Sequence, residues 1–238
     1  MSDWAAKRFW KTASTPSLDG GFTVHLDGRP VKTPAKSKFV VPNIALAQAA
    51  AAEWDAQEDT IDVTSMPVTR AINAAIDKVA VQFDEVAQML AAYGDSDVTC
   101  YRADSPSELV ARQNLTWDPL LDWAHERFNV RLIPVQGVMH VPQNSAALER
   151  LSAPLFEMTE FELTAMHDLV SLSGSLIIGL AAAEKFQPID ALWQMSRVDE
   201  IWQIEQWGED EEATEQSEIK HSAFQAAARF LDLSRQNS

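Results

Sequence analysis

The sequence predicts an α+β fold, with a small N-terminal β-rich domain over residues 1–42 followed by a larger, mainly α-helical domain over residues 43–238. Three features carry that prediction. The first forty residues are basic, rich in turn formers and nearly free of acids, with an Asp-Gly pair set between strand-like runs. Alanine-rich, helix-forming segments dominate from Pro42 onward. Proline and glycine then punctuate the chain at helix-length intervals.

Taken in order, GFTVHLDGRPVKTP holds Asp27-Gly28, which supplies the positive φ angles of a tight hairpin turn. Pro30 and Pro34 push the second strand toward a sheet edge. Lys7 to Lys11 and Lys38 to Val41 are expected to add strands to the same small sheet. Pro42 sits where a first helical turn begins, and IALAQAAAAEWDAQE follows. Ile61 to Ser65 reads as a short extended link. Pro67 opens a second long helix that runs to Gly94. Ser105-Pro106 starts a segment containing RQNLTWDPLLDWAHERF, with a break expected near Pro119. Residues 130–141, VRLIPVQGVMHV, read as two short strands around Gln136-Gly137, and the sequence leaves open whether they join the N-terminal sheet. Helices resume at Asn144, with breaks near Pro154, Gly174, Pro188 and Gly208.

With 46% hydrophobic residues in 238, the chain can bury a sizeable core and is not a disordered segment. A net charge of −16 repels phosphate backbones, so no nucleic-acid partner is expected, whereas a basic partner surface suits it. Cys100 is the single cysteine, which excludes an internal disulfide and a cysteine zinc site and fits a reducing compartment. MSDWAAKRFWK has no apolar run of the signal-peptide kind and is too short for a mitochondrial presequence. The nearly apolar run Leu169 to Ala183 is shorter than the roughly 20 residues of a membrane span, so it reads as buried helix and no membrane is expected.

Catalytic and metal patterns are sparse. None of the histidines His25, His125, His140, His167 and His221 lies in an HExxH or other paired ligand spacing. There is no GxSxG, no phosphate-binding GxxxxGK[ST] loop and no GxGxxG. His167-Asp168 reads as a structural pair. Ser171, Ser173, Gly174, Ser175 and Gly179 read as close helix packing, not as a nucleophile. Asp118 and Asp122 lie one helical turn apart and read as solvated acids. No cofactor, no metal and no enzymatic activity are expected.

SRVDEIWQIEQWGEDEEA, from Ser196 to Ala213, is different, because it mixes acids with tryptophan. At 100° per residue, Met195, Val198, Ile201 and Trp202 form one apolar stripe, a core face. Trp193, Ile204 and Trp207 form a second stripe with Glu200 in its middle. A helix with two apolar stripes packs on two sides, either both internal or one turned to a partner. Tryptophan is a preferred anchor at interfaces. A carboxylate among tryptophans wants an arginine or amide partner. From Asp199 to Glu218 there are nine acids and no base, more than helix capping requires, which suggests a negative face.

Five segments in order carry a resemblance. KRFWK near the start, LDGRPVKTPAK at Leu26 to Lys36, AAEWDAQ at Ala51 to Gln57, MPVTRAINAAID at Met66 to Asp77, and DEIWQIEQWGED at Asp199 to Asp210 resemble an assembly-chaperone family. It is the family that attends the alpha subunit of the ATP synthase F(1) sector, and the similarity runs over nearly the whole chain. The resemblance implies a non-enzymatic protein that binds the unassembled alpha subunit and shields its interface until the beta subunit replaces it. It also implies a β-rich domain before a helical one. The family is mitochondrial and alphaproteobacterial, and this chain resembles a bacterial cytoplasmic member, with the mitochondrial matrix the place of eukaryotic relatives. The family's functional DE pair matches Asp199 and Glu200. The candidate partner-binding residues are therefore Asp199, Glu200, Gln203, Trp207, Glu209 and Asp210, on a protein expected to be monomeric. The competing readings are a hydrolase using an acidic cluster and a structural subunit of a stable complex.

Overall fold

The computed structural model of the chain describes residues 7–236. Residues 1–6, on which the reading of the leader partly rested, lie outside that range. The fold is α+β, with short antiparallel strands between residues 13 and 30 and helices thereafter. Two compact units are present: residues 1–83 with 159–165 and 229–238, and residues 84–158 with 166–228. The change from strands to helices falls at 42/43 as read, but the first compact unit also contains the first two helices.

In the first unit, β1 (Ala13–Ser14), β4 (His25–Leu26) and β5 (Arg29–Pro30) form an antiparallel sheet in the order β1-β4-β5, and β2 (Ser17–Leu18) pairs with β3 (Gly21–Phe22). Asp27 and Gly28 both have positive φ, 48° and 79°, and Leu26 faces Arg29 across them, which is the two-residue hairpin the sequence predicts. The strands expected at 7–11 and 38–41 reduce to single bridges, Lys7 to Thr60, Phe22 to Val41 and Lys32 to Lys38. Side chains hold the first of these segments in place of a ladder. Arg8 donates to the carbonyls of Asp55 (2.9 Å), Gln57 and Trp10.

α1 (Ile44–Asp55) starts after Asn43, whose Oδ1 accepts from the Leu46 N–H at 2.9 Å. Pro42 thus precedes the cap and does not enter the first turn. Residues 63–65 form a 3-10 turn, not an extended link, because the Asp62 carboxylate caps the Thr64 N–H at 2.9 Å. α2 (Pro67–Ala74) has its first-turn N–H groups capped from another element: the Glu53 carboxylate accepts from Val68 and Thr69, each at 2.7 Å. The long helix expected from Pro67 to Gly94 is two. A π turn at Ala75–Val79 and a break at residues 80–82 separate α2 from α3 (Phe83–Ala92). Asp77, inside the π turn, accepts from Thr33 Oγ1 at 2.7 Å and the Ala35 N–H at 3.0 Å. Helix formers run unbroken through residues 75–82, so no local signal marks this break.

In the second unit, β6 (Tyr101–Arg102) pairs in parallel with β7 (Val135–Gln136). This corrects the placement of residues 130–141: they hold one short strand, not two, and it joins β6 and not the N-terminal sheet. α4 (Ser107–Phe128) runs through Pro119 without breaking. Pro119 and Leu115, whose carbonyl it leaves without a helical donor, both lie on the exposed face, so water can solvate that carbonyl. α5 (Ser145–Ser152) is capped by Asn144. α6 (Glu160–Ser173) contributes residues to both units and ends at Gly174, φ +70°. α7 (Leu176–Ala183) is almost wholly buried. Its N-terminus is closed by the Ser175 hydroxyl on the Ile178 N–H and by fully buried Asp97 on the Ile177 N–H. Burial raises the Asp97 carboxyl above its ordinary range, although these donors oppose the shift. α8 (Ile189–Ser196), α9 (Val198–Trp207) and α10 (Glu211–Ser234) complete the chain. Among the described residues, no helix is long and apolar enough to cross a membrane.

Candidate functional site

The helix that sequence periodicity runs from Trp193 to Trp207 breaks at Arg197, φ −114° and ψ 21°. The second apolar stripe therefore splits. Trp193 stays on α8, 3% exposed, its ring stacked on His221 at 5.4 Å and tilted against Phe224. Ile204 and Trp207 lie on α9 and are 40% and 78% exposed. Nothing in the residues Ser196-Arg197 signals a break, since neither is a helix terminator.

Arg197 seats the start of α9. Its guanidinium lies 4.8 Å from the Trp193 ring, donates to the Leu172 carbonyl at 2.9 Å and pairs with Glu200 Oε1 at 3.0 Å. From α4, Arg112 makes a bidentate pair with Glu205 at 2.8 Å and lies 5.0 Å from the Trp202 ring. Hydrogen bonding to Arg112 holds the Glu205 carboxyl below its ordinary range. Buried Gln113 donates to Asp199 Oδ1 at 2.7 Å while its own Oε1 accepts from the Ala103 N–H. An apolar groove of about 460 Å³ lies beside this contact, lined by Arg112, Ala191, Met195, Val198 and Ile201.

The rotation of α9 now fixes what each candidate does. At 100° per residue, Val198, Ile201, Trp202 and Glu205 share the inner face, and Glu200, Gln203, Ile204 and Trp207 share the outer one. The structure brings Glu200, Gln203 and Trp207 together on an exposed face, and it adds Ile204, which the sequence placed in the stripe but not among the binding residues. Asp199 points about 100° away from Val198, sideways toward α4. The two acids have the partners that carboxylates near tryptophan need: an amide for Asp199, an arginine for Glu200. Glu209 and Asp210 lie past Gly208, φ +91°, outside the helix. Asp210 accepts from the Ala213 N–H at 2.9 Å and so caps α10, while Glu209 is exposed. Arg112, Gln113 and Arg197, which hold α9 in position, carried no signal in the sequence because their partners lie on other elements or across a helix break.

Asp118 and Asp122 do not converge on a shared centre. Asp118 pairs with Arg102 at 2.8 Å and Asp122 with Arg131 at 2.9 Å, on the rim of a pocket of about 270 Å³. His167 and Asp168 form an exposed pair at 2.9 Å, and that hydrogen bond raises the imidazole above its ordinary range. Among the described residues, no group of three or more His, Cys, Asp or Glu is arranged to hold a metal ion.

The other four sequence motifs meet inside the first unit. Arg8 and Trp10 of KRFWK reach Asp55, Gln57 and Trp54 of AAEWDAQ. Glu53 of that segment caps MPVTRAINAAID, and Asp77 at its end holds Thr33 and Ala35 of LDGRPVKTPAK. These motifs are interlocks of the fold. The fifth, DEIWQIEQWGED, spends only part of itself on packing and turns the rest outward.

A family model described as ATP12 chaperone protein matches residues 7–125. The mitochondrial protein atp12 of Schizosaccharomyces pombe is 25% identical over 221 residues, covering 88% of this chain and 76% of that protein. The crystal structure of Atp12 from Paracoccus denitrificans superposes with a TM-score of 0.95 at 45% identity, covering 98% of this chain and 100% of that one. A protein from Agrobacterium tumefaciens described as a candidate chaperone gives a TM-score of 0.92 at 42% identity, over 95% of this chain and 85% of its own.

Proposed function

The chain belongs to the ATP12 chaperone family, which acts in ATP synthase assembly, and from that membership we propose that it binds the unassembled alpha subunit of the F(1) sector through the outer face of α9. The observation that carries this reading is Trp207, 78% exposed beside Ile204 on a helix fastened from behind by Arg112, Gln113 and Arg197. Exposed apolar side chains carry an aggregation risk for a protein at rest. A rigid helix holding them next to acids and a glutamine suits a displaceable contact, with apolar anchors for affinity and polar groups for specificity. An alpha subunit outside its ring exposes apolar area that assembly later buries. Covering that area until the beta subunit arrives prevents aggregation. The acids of α9 and of the start of α10 favour a basic edge on the client and steer its approach. The protein works as a monomer where the subunit is made, the bacterial cytoplasm, and performs no covalent step.

Glu200→Lys tests the reading. The Arg197–Glu200 pair is exposed at the carboxylate, so its loss costs about 1 kcal/mol or less of stability and folding survives. Capture of purified, unassembled alpha subunit should fall at least about tenfold, because a reversed charge meets a partner group of the same sign. A variant that melts like wild type and captures the subunit equally well removes α9 from the contact.

A further inference from the structure

The link between α4 and α5 holds a second exposed apolar surface. Ile133, Val138, Met139 and Val141 are all exposed, Val138 by 92% and Met139 by 78%. Single exposed apolar side chains are ordinary, but four within nine residues are not. Nor is this a slack loop. β7 pairs with β6 at its base, and the Gly137 N–H donates to the Arg102 carbonyl at 2.8 Å. The Gln143 side chain brackets Ile133 as a neighbouring strand would, accepting from its N–H and donating to its carbonyl, each at 2.9 Å. Asp95 ties down the far side, taking the Gln143 N–H at 2.7 Å and His140 Nε2 at 3.0 Å. Gly137, φ +80°, makes the turn, and a Cβ there would stand 3.3 Å from the Asp104 carboxylate. A frame of polar contacts thus fixes the base and leaves Val138 and Met139 outside it.

Charge says what this tip meets. The chain carries 35 acids and 19 bases, yet from Arg127 to Leu148 there is no acid at all. The tip is a neutral, apolar island in an acidic protein, unlike the outer face of α9 and the start of α10. A second copy is a poor occupant, because each copy carries −16 and the two repel. A basic segment is also a poor one, because the tip offers it no countercharge.

We propose that this loop is a second contact for the same unassembled subunit, docking a neutral apolar strip of it while α9 takes its more polar edge. The proposal rests on the function argued above. A pre-organised apolar tip loses little entropy on docking, which is what a contact that must form quickly and later release requires. The unbranched thioether of Met139 adapts to more than one apolar surface.

Site-directed crosslinking tests it. Cys100 is buried and burial pushes its thiol up to about 12, so a maleimide reagent labels only an introduced cysteine. Met139→Cys and, at the edge of α9, Gln206→Cys each receive a maleimide-benzophenone and are irradiated with purified alpha subunit. Both positions should crosslink to the subunit, and neither to a second copy of the chaperone. Separately, the double variant Val138→Asp with Met139→Asp should melt like wild type and bind the subunit at least about tenfold more weakly. Crosslinking at 206 without crosslinking at 139, or binding by the double variant within about twofold of wild type, overturns the second contact and leaves the α9 reading standing. Crosslinking at neither position overturns both. A crosslink from 139 to another copy assigns the loop to self-association and also overturns the proposal.

Discussion

Gly179→Ala isolates the close packing on which α9 ultimately stands. Gly179 is a helical residue of α7, and a Cβ there would lie 2.5 Å from Val170 Cγ2, 3.3 Å from Met166 Cε and 3.5 Å from Val170 Cα. Carbon atoms pack at about 3.5–4.0 Å, so the first contact is short by about 1 Å. Val170 and Met166 are both fully buried. Methionine can bend away, but a valine in a helix has essentially one χ1 rotamer and no free volume to move into. Overpacking of this kind costs about 1–3 kcal/mol, and the near-backbone clash belongs at the upper end. Alanine regains about 1 kcal/mol of helix propensity over glycine. The net expectation is a loss of about 1–2 kcal/mol, or roughly 2–8 °C in a chain of this length. Urea denaturation of both proteins measures it, read as a lower midpoint at unchanged slope. The Val170→Ala background supplies the control, because removing Cγ2 makes room for the new methyl and the two changes should couple favourably. The same displacement of α6 would shift the Leu172 carbonyl that Arg197 grips, so capture of the alpha subunit should weaken along with stability. If Gly179→Ala raises the midpoint, propensity outweighs the contact and the packing argument fails.

Trp54→Arg should cost about 3–5 kcal/mol, because the indole packs edge-on against buried Trp10 at 5.2 Å and a guanidinium would desolvate there; unchanged thermal melting would show the ring to be dispensable. Purified protein should hydrolyse neither ATP, esters nor peptides above background, and a rate that survives repurification and vanishes on mutating Asp118 or Asp122 would revive a hydrolase. Glu162 is raised by partial burial but held below its ordinary range overall by the Thr159 N–H, Arg235 and the Thr159 hydroxyl. A depressed folded-state value contributes stability above the unfolded one, near 4.5, and loses it as pH falls through the folded value. Glu162→Gln should therefore be less stable than wild type at neutral pH, with the gap closing below about pH 4.5; a gap that stays constant down to about pH 3 would sink the linkage.

The sequence by itself determined what depends on neighbours in the chain. The Asp27-Gly28 hairpin follows from two residues that tolerate positive φ, and the breaks at Gly174, Pro188 and Gly208 follow from backbone restrictions that no packing can relieve. The strand-to-helix order and the composition of the α9 motif were legible for the same reason. What only the tertiary structure decided depends on partners distant in sequence. Pro119 sits inside a helix because its face of α4 meets water, and residues 135–136 join β6 because pairing is chosen among strands, not within one. The break at Arg197 has no local cause. It arises where one guanidinium meets Trp193, the Leu172 carbonyl and Glu200 together. That break turns one tryptophan inward and another outward, and with Gln113 and Arg112 it sets the rotation that presents Glu200, Gln203 and Trp207. Periodicity assigns faces relative to an axis, but the contacts across elements decide where the axis stops and which face is left for a partner.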